Sequence, residues 1–156
     1  MLFERINRTN PEKIFTVAYN SWSTASLTNG QACQWDYATD ADGVGVTKPG
    51  AIATAAGVAI AGVAAETIAS GAYGLVQTYG YHSAVRVRTM TTTGTTPHIV
   101  KAVAAGTPLS SPIATVFCLE GMSTASTSPL LFPAGFALAA QASFTTKAVA
   151  VFLKCL

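Results

Sequence analysis

The sequence predicts an all-β protein, a compact β-barrel or β-sandwich-like module with an extended N-terminal arm and at most a short helix. The 13 glycines and 7 prolines are spread along all 156 residues, so no segment keeps a long helical period free of them. Apolar residues alternate with polar ones or form short runs that end at turn residues, which is the pattern of strands. Turn signals recur about every 8 to 12 residues, the spacing typical of sandwiches and small barrels.

The first third of the chain contains an arm and three predicted strands. Residues 1–12 mix charges, asparagine and a proline, which indicates an N-terminal arm, and we interpret residues 13–156 as a single β-rich domain. We expect the arm to contact a neighbouring subunit or a partner surface instead of the core of its own domain. Cys33, Trp35 and Tyr37 fall on one face of the second strand. The three strands are predicted at residues 13–19 (KIFTVAY), 31–37 (QACQWDY) and 44–47 (VGVT), with Asn29-Gly30 and ATDADG as turns.

The middle of the chain predicts a hairpin followed by a further strand. Residues 57–65 (GVAIAGVAA) and 73–81 (YGLVQTYGY) stand on either side of a polar turn at residues 66–71, as two antiparallel strands do. The alanines also allow a short helix in the first run, but Gly57 and Gly62 weigh against it, since each costs about 1 kcal/mol in a helix interior. Residues 83–90 alternate, with Ala84, Arg86 and Arg88 on one face and Val85 and Val87 on the other.

The chain ends in a strongly apolar predicted strand, KAVAVFLKCL at residues 147–156. Earlier strands are predicted at residues 99–104 and 115–119, and the sequence allows a short helical turn at residues 137–144. A strand with two apolar faces is buried in a sheet or paired with a neighbour. We therefore expect Phe152→Ala to cost about 3–5 kcal/mol in a fully enclosed site, and Lys154→Ala to cost little. The two faces of the final strand are Val149, Val151 and Leu153, and Ala148, Ala150 and Phe152.

The charge content predicts that other subunits cover much of the surface. Only 10% of the residues are charged, compared with about 25% in a typical soluble domain, while 50% are hydrophobic. A soluble monomer of this composition has few charges to keep it dispersed. A chain of this length buries roughly 70% of its unfolded surface and needs no metal or disulfide to form a core. We therefore predict a non-enzymatic structural protein that associates with itself.

The same composition argues against nucleic-acid and membrane partners. The formal net charge is +2, and the pair Arg86 and Arg88 is too small a cluster to bind a phosphate backbone. Residues 49–65 carry no charge, but they are fewer than the roughly 20 residues that a spanning helix needs. The first residues of the chain contain no apolar core run, so we expect no signal peptide. Three scattered cysteines without ligand spacing, Cys33, Cys118 and Cys155, indicate the reduced thiols of an intracellular protein.

No constellation of residues predicts catalysis, a cofactor or a metal. We place His82 in a turn and His98 in a loop, both as surface or interface residues, because no metal-ligand spacing surrounds them. The run DADG at residues 40–43 is similar to part of a calcium loop but lacks the closing glutamate, so we interpret it as a polar turn. There is no G-x-S-x-G elbow and no phosphate-binding glycine motif. The seven acids are Glu4 and Glu12 in or near the arm, Asp36, Asp40 and Asp42 around one loop, and Glu66 and Glu120 at turns.

Several segments resemble one known family in their order and spacing. Residues 61–64 (AGVA), a polar turn and residues 73–80 (YGLVQTYG) match its strand-turn-strand pattern, in which A-G-V-A precedes Y-G-x-V-Q-x-x-G. The other segments are YNSWSTASLTNGQACQWD at residues 19–36, DGVGVTKP at 42–49, KAVAAGTPL at 101–109 and AVFLKCL at 150–156. On these segments, which span most of the chain, the sequence resembles the small head-decoration (cement) proteins of tailed bacteriophages.

The resemblance implies a structural function on a virus particle. It implies a β-barrel or sandwich-like body, often trimeric, clamped over the junctions between capsid subunits on the outer surface of the head. The implied partners are the chain itself, as a homotrimer, and the major capsid protein, and the implied location is the virion after synthesis in the host cytoplasm. Two alternatives stay open: another phage module from a tail, fibre or baseplate, and a carbohydrate-binding β-sandwich. The latter needs an aromatic platform, for which the candidates are Trp22, Trp35, Tyr79 and Tyr81, although we expect Trp35 in the core.

Overall fold

The computed structural model describes residues 12–37, 39–40, 42–49, 60–88, 90–91, 100–101, 108–110, 119–121, 134–140 and 146–155. Throughout these ranges the regular structure consists of strands, which confirms the all-β fold class. The expectations for residues 1–11, His98, Cys118 and the side chain of Arg88 lie outside the described residues. The strands are β1 (Lys13–Asn20), β2 (Ala32–Trp35), β3 (Gly45–Thr47), β4 (Ile60–Ala64), β5 (Tyr73–Arg88), β6 (Met90–Thr91), β7 (Val100–Lys101), β8 (Pro108–Ser110), β9 (Leu119–Gly121), β10 (Gly135–Ala137) and β11 (Lys147–Lys154).

The sheet closes on itself twice, each time through β5. Nine of the described strands are hydrogen-bonded in the order β1-β3-β2-β4-β5-β11-β10-β8-β9, and additional pairs join β1 to β5 and β9 to β5. The first strand ring therefore contains β1, β3, β2, β4 and β5, and the second strand ring contains β5, β11, β10, β8 and β9. The short strands β6 and β7 form a separate antiparallel pair. Since β5 belongs to both strand rings, it joins them into one continuous sheet.

Strand β5 serves both strand rings because it is 16 residues long. Its first half pairs with β1 along one edge and with β4 along the other, whereas its second half pairs with β11 and, in parallel, with β9. The prediction of two shorter strands separated by a turn at His82 is therefore wrong. His82 pairs with Val151 of β11, and Val85 pairs with Val149. Three residue steps in β5 therefore correspond to two in β11, so β5 contains a bulge between His82 and Val85. The polar residues that indicated a turn mark this bulge.

Two glycines allow the backbone to approach where side chains cannot fit. Gly80 has a φ of 95°, and a Cβ there would overlap the carbonyl oxygen of Glu12, where the chain enters β1. Gly30, at the predicted Asn-Gly turn, has a φ of 82°, and a Cβ would overlap the carbonyl oxygen of Ala84. The N–H of Gly30 donates to Ala64 O at 2.9 Å, and its carbonyl accepts from Arg86 N at 2.8 Å. Gly30 therefore links β4 to the second half of β5.

Two apolar cores lie on opposite sides of a wall formed by β2 and β4. Successive residues of the wall belong to different cores: Cys33 and Ala64 face the first core, and Ala32 and Val63 face the second. A strand enclosed between two cores needs apolar residues on both faces, and here they are small, which explains the Ala- and Gly-rich β4 without a helix. The first core contains Ala18, Leu27, Cys33, Val46, Ala61, Ala64, Ile68 and Val76, and the second contains Ala32, Val63, Val85, Val87, Leu109, Ala134, Ala137, Val149, Val151 and Leu153.

Most of the other predicted elements are confirmed within shorter bounds. β1 matches its prediction, β2 and β3 occupy the centres of theirs, and β4 and β5 form the expected antiparallel hairpin. The faces of β5 also agree, because Val85 and Val87 are buried while Ala84 is exposed. One placement is wrong, because Glu120 lies in β9 instead of a turn. Of the segment 137–144, for which the sequence allows a short helical turn, residue 137 ends β10 and residues 138–139 form a bend, while residues 141–144 lie outside the described residues.

The apolar C-terminal segment forms β11, which lies between β5 and β10 as an inner strand. One face is fully buried in the second core, as expected. The other face is not enclosed: Ala148 is exposed, and Phe152 is half-buried, with its ring edge-on to Tyr79 at a centroid distance of 5.2 Å. Within one copy the second face is therefore not enclosed, and the condition for a cost of about 3–5 kcal/mol at Phe152 is not met there. The pairing of this face with a neighbour stays a prediction.

Three substitutions in the final strand should lower the free energy of unfolding by different amounts. We expect Leu153→Ala to lower the free energy of unfolding by about 2–5 kcal/mol, because the side chain is fully buried and its removal leaves a cavity. Phe152→Ala should cost less than Leu153→Ala, and Lys154→Ala, at an exposed position, should stay within about 0.5 kcal/mol. Urea unfolding followed by tryptophan fluorescence measures all three. A cost for Phe152→Ala equal to or above that of Leu153→Ala would contradict the described packing.

Candidate functional site

The loop between β2 and β3 is held in shape by its own aspartates. Asp36, which is buried, accepts hydrogen bonds from Ser21 Oγ at 2.6 Å and from the hydroxyl and backbone N–H of Thr39. Asp40 accepts hydrogen bonds from the backbone N–H groups of Asp42 and Gly45. These contacts confirm the interpretation of the DADG run as a polar turn. In the part of the chain that the structure describes, no three His, Cys, Asp or Glu side chains are placed to hold a metal ion.

A pocket of about 400 Å3 lies between this loop and the strands β1 and β5. The rings of Tyr19 and Tyr73 stand side by side in the two strands, with centroids 5.3 Å apart and planes inclined by 54°. Asp42 is exposed at the opposite side, and its backbone N–H donates to Asp40. Aromatic rings and carboxylates together attract cations, and they also suit sugar rings with their hydroxyl groups. The lining residues are Tyr19, Ser21, Thr39, Asp40, Asp42, Val44 and Tyr73.

An exposed apolar stripe, formed by Phe15, Val17, Leu75 and Tyr73, runs along β1 and β5 to this pocket. Val17 lies opposite Leu75, and Tyr19 lies opposite Tyr73, so the side chains form adjacent rows. The exposed fraction is 60% for Val17 and 66% for Tyr73. Single exposed apolar residues are ordinary on protein surfaces, whereas contiguous apolar patches are typical of surfaces that bind other molecules.

Strand β1 also has an open edge within the described structure. One edge pairs with β5 from Lys13 to Tyr19, whereas the other pairs with β3 only at Tyr19 and Asn20. Along residues 13–18, no described strand occupies this second edge. The residues that precede β3 belong to the loop between β2 and β3, which we call the aspartate loop. The pocket beside this loop therefore lies where the open edge of β1 ends. An open strand edge presents backbone N–H and C=O groups to which another chain can add a strand.

The aromatic residues considered for a carbohydrate platform lie in different places. Trp22 and Trp35 are half-buried and pack against the first core, so Trp35 lies at the edge of the core instead of within it. Lys48 Nζ lies 5.2 Å from the centre of the Trp22 ring. Tyr79 packs against Phe152 on the side of the second strand ring. The aromatic pair at the pocket is instead formed by the half-buried Tyr19 and the exposed Tyr73.

Three titratable side chains lie away from this site, of which His82 and Cys33 are buried and Cys155 is half-buried. His82 is buried within β5, which contradicts its predicted surface position, and its Nδ1 accepts a hydrogen bond of 3.2 Å from the N–H of Ala84. Burial, and then the charge of Lys13, lower the pKa of the imidazole. Cys33 and Cys155 are free thiols, and burial raises the pKa of each to about 12. A protonated, enclosed thiol is a poor nucleophile, so both cysteines belong to the packing of the cores.

Sequence reasoning missed the stripe, the open edge and the tyrosine pair. The signal was present in the first predicted strand, KIFTVAY, where Ile14, Phe15 and Val17 place apolar side chains on both faces. A strand next to a polar arm can bury one face in its own core, so the other face had to be exposed or covered by a partner. No feature of the sequence predicts that Tyr19 pairs with Tyr73, because this pairing depends on the register between β1 and β5.

Comparison with known proteins gives no relative for this chain: no family model, no curated protein and no solved structure matches it. Across the described ranges, no helix has the length and apolar character required to cross a membrane.

The buried imidazole predicts a specific loss of stability in mild acid. In the unfolded chain the pKa of a histidine is about 6.5, and in the folded protein the pKa of His82 is lower. Below about pH 6.5 the unfolded chain therefore binds a proton that the folded chain does not, and the free energy of unfolding decreases until the folded imidazole also protonates. Above about pH 6.5 this contribution is fully present and constant.

We expect the melting temperature to be lower at pH 5.5 than at pH 7.5, and the difference to shrink in His82→Gln. Differential scanning calorimetry at several pH values measures this, and His98→Gln, which removes the other histidine of the chain, is the matched control. An unchanged pH dependence in His82→Gln would show that another group is responsible.

Proposed function

We propose that this chain is a structural virion protein, a capsid decoration or cement protein that binds the outer surface of a phage head across capsid-subunit junctions and stabilises the shell. The observation that carries the proposal is the exposed apolar stripe beside the open edge of β1, because such a surface fits contact with another protein chain. The segments that resemble cement proteins favour the major capsid protein as the partner and a homotrimer as the assembly.

The twice-closed sheet supports a mechanical function. A protein that binds only assembled subunits stabilises the assembly by the free energy of that binding, repeated at every junction that it occupies. This requires a body that does not deform when the subunits are pulled apart. Because β5 has strand partners on each of its edges, the strands that carry the stripe are fixed on one side by the sheet.

The low charge of the chain supports the self-association part of the proposal. Only 10% of the residues are charged, and the stripe adds apolar side chains that a solitary subunit leaves in water. Burial of apolar area contributes roughly 25 cal/mol per Å2, so covering the stripe with a neighbouring copy is favourable. The assembled trimer, and not a single copy, then makes the contact with the capsid.

We expect the purified chain to sediment as a trimer, and to raise the melting temperature of empty phage capsids when mixed with them. Val17→Glu places a charge in the stripe and should reduce both effects, while Leu138→Glu, at an exposed apolar position on the other strand ring, should leave them unchanged. Analytical ultracentrifugation and capsid calorimetry measure the two quantities. A chain that stays monomeric at micromolar concentration and leaves capsid melting unchanged would overturn the proposal.

A carbohydrate-binding function is the second candidate, and the pocket is the observation that favours it. Tyr19 and Tyr73 supply aromatic surface, and Asp40 and Asp42 supply carboxylates that accept hydrogen bonds from hydroxyl groups. If the pocket binds sugars, saturation-transfer NMR with soluble oligosaccharides should give signals that Tyr73→Ala abolishes and Leu138→Ala preserves. Equal signals in both variants, or none in the unmodified chain, would exclude this pocket as a sugar site.

A further inference from the structure

We infer that the open edge of β1, together with the adjoining pocket, receives residues 1–11 of a second copy of this chain. The inference rests on the self-association in the proposed function and specifies which part of the neighbouring copy makes the contact. Its basis is the coincidence of three features at one place: a strand edge that no described strand occupies, an apolar stripe and a pocket lined in part by carboxylates.

The geometry of the edge determines where an added strand ends. β3 pairs with β1 only at Tyr19 and Asn20, so a strand added along residues 13–18 lies in line with β3. One end of the added strand then meets the aspartate loop, which leads into β3, and the pocket beside it. Its outward side chains continue the row that Phe15 and Val17 begin. The site therefore suits an extended segment with apolar residues and a cationic side chain near one end.

The segment before β1 has this composition. It contains the apolar residues Leu2, Phe3 and Ile6 and the cationic residues Arg5 and Arg8, with one acid, Glu4. Eleven extended residues reach roughly 36 Å, compared with roughly 26 Å for a strand of the length of β1, so the segment is long enough to cover the edge. An arginine at the pocket would meet Asp42 and the tyrosine rings, which together give a charge pair and a cation–π contact.

The backbone around Glu12 favours a second copy over the same chain. The carbonyl oxygen of Glu12, the residue before β1, already lies against Gly80 of β5. To reach the open edge of its own β1, the segment would have to reverse direction at once. Donation to a neighbour requires no reversal. If each copy donates its segment to the next, the contact is head-to-tail and can close as a ring of three.

Side chains alternate between the two faces of an extended strand, so the two arginines of the donated segment should contribute unequally. Arg5 and Arg8 are an odd number of residues apart, so their side chains point to opposite faces. Only one of them can lie on the face that meets the pocket. Reversing the charge of that arginine should weaken the contact at least about tenfold, because it puts a carboxylate against carboxylates, whereas reversing the other should have a much smaller effect.

The test uses the full chain in two isotopic forms. In the light form Phe3 is replaced by photoreactive benzoylphenylalanine, and the heavy form is uniformly labelled with 15N. After mixing and irradiation, mass spectrometry should find crosslinks from light residues 1–11 to heavy residues of β1 or the aspartate loop. Val17→Glu and Asp42→Arg in the heavy chain should each reduce these crosslinks at least about tenfold, and Leu138→Glu should leave them unchanged. Arg5→Glu and Arg8→Glu in the light chain should differ from each other.

The possible outcomes separate this inference from the proposed function. The two forms are unfolded and refolded together so that each assembly contains both. Crosslinks only between light residues would then show that each chain covers its own edge, and crosslinks elsewhere on the heavy chain would place the segment on another surface. Either result overturns the inference while leaving the trimer measurement of the proposed function intact. Equal losses for the two arginine variants would also overturn it, since long-range attraction then explains the charge effect. A monomer without any crosslink between copies would overturn both.

Discussion

The structure depends on the pairing of β5 along both of its edges. Each edge is divided between two partners, β1 and β9 on one side and β4 and β11 on the other, so a single strand closes both strand rings. This division works because Gly80 lets the start of β1 come close where the two halves meet, and because the bulge near His82 adjusts the register with β11. Loss of pairing at β5 opens both strand rings at once, so the described sheet has no part that is independent of it.

The pocket and the stripe are consequences of the same arrangement. β1 is fixed by β5 on one edge, and on the other only Tyr19 and Asn20 have a partner among the described strands, because β3 is three residues long and begins opposite Tyr19. The loop that enters β3 would be a mobile acidic connection in a less constrained chain, but Asp36 and Asp40 bind its backbone and the side chains of Ser21 and Thr39. The carboxylates of Asp36 and Asp40 are therefore held by hydrogen bonds within the loop, and the tyrosines are held by the pairing of their strands.

The sequence predicts what depends on local pattern and misses what depends on register. Turn residues and alternation were enough for the fold class, for β1 and for the hairpin of β4 and β5. The continuity of β5 was missed because His82 and Ser83 have the composition of a turn, and only the pairing with β11 shows that they form a bulge. The half-exposed position of Phe152 and the meeting of Tyr19 with Tyr73 also follow from long-range pairings, which no short window of sequence contains.

The wall between the two cores restricts how this protein can change during evolution. Ala32 and Cys33 are adjacent in sequence yet fill different cores, as are Val63 and Ala64. Because protein interiors are close-packed, a larger side chain on one face of the wall moves its backbone toward the other core. Accepted substitutions in β2 and β4 should therefore occur in compensating pairs, in which one core gains the volume that the other loses. A substitution of a small residue in the wall therefore affects both cores, so the two halves of the molecule cannot change independently at these positions.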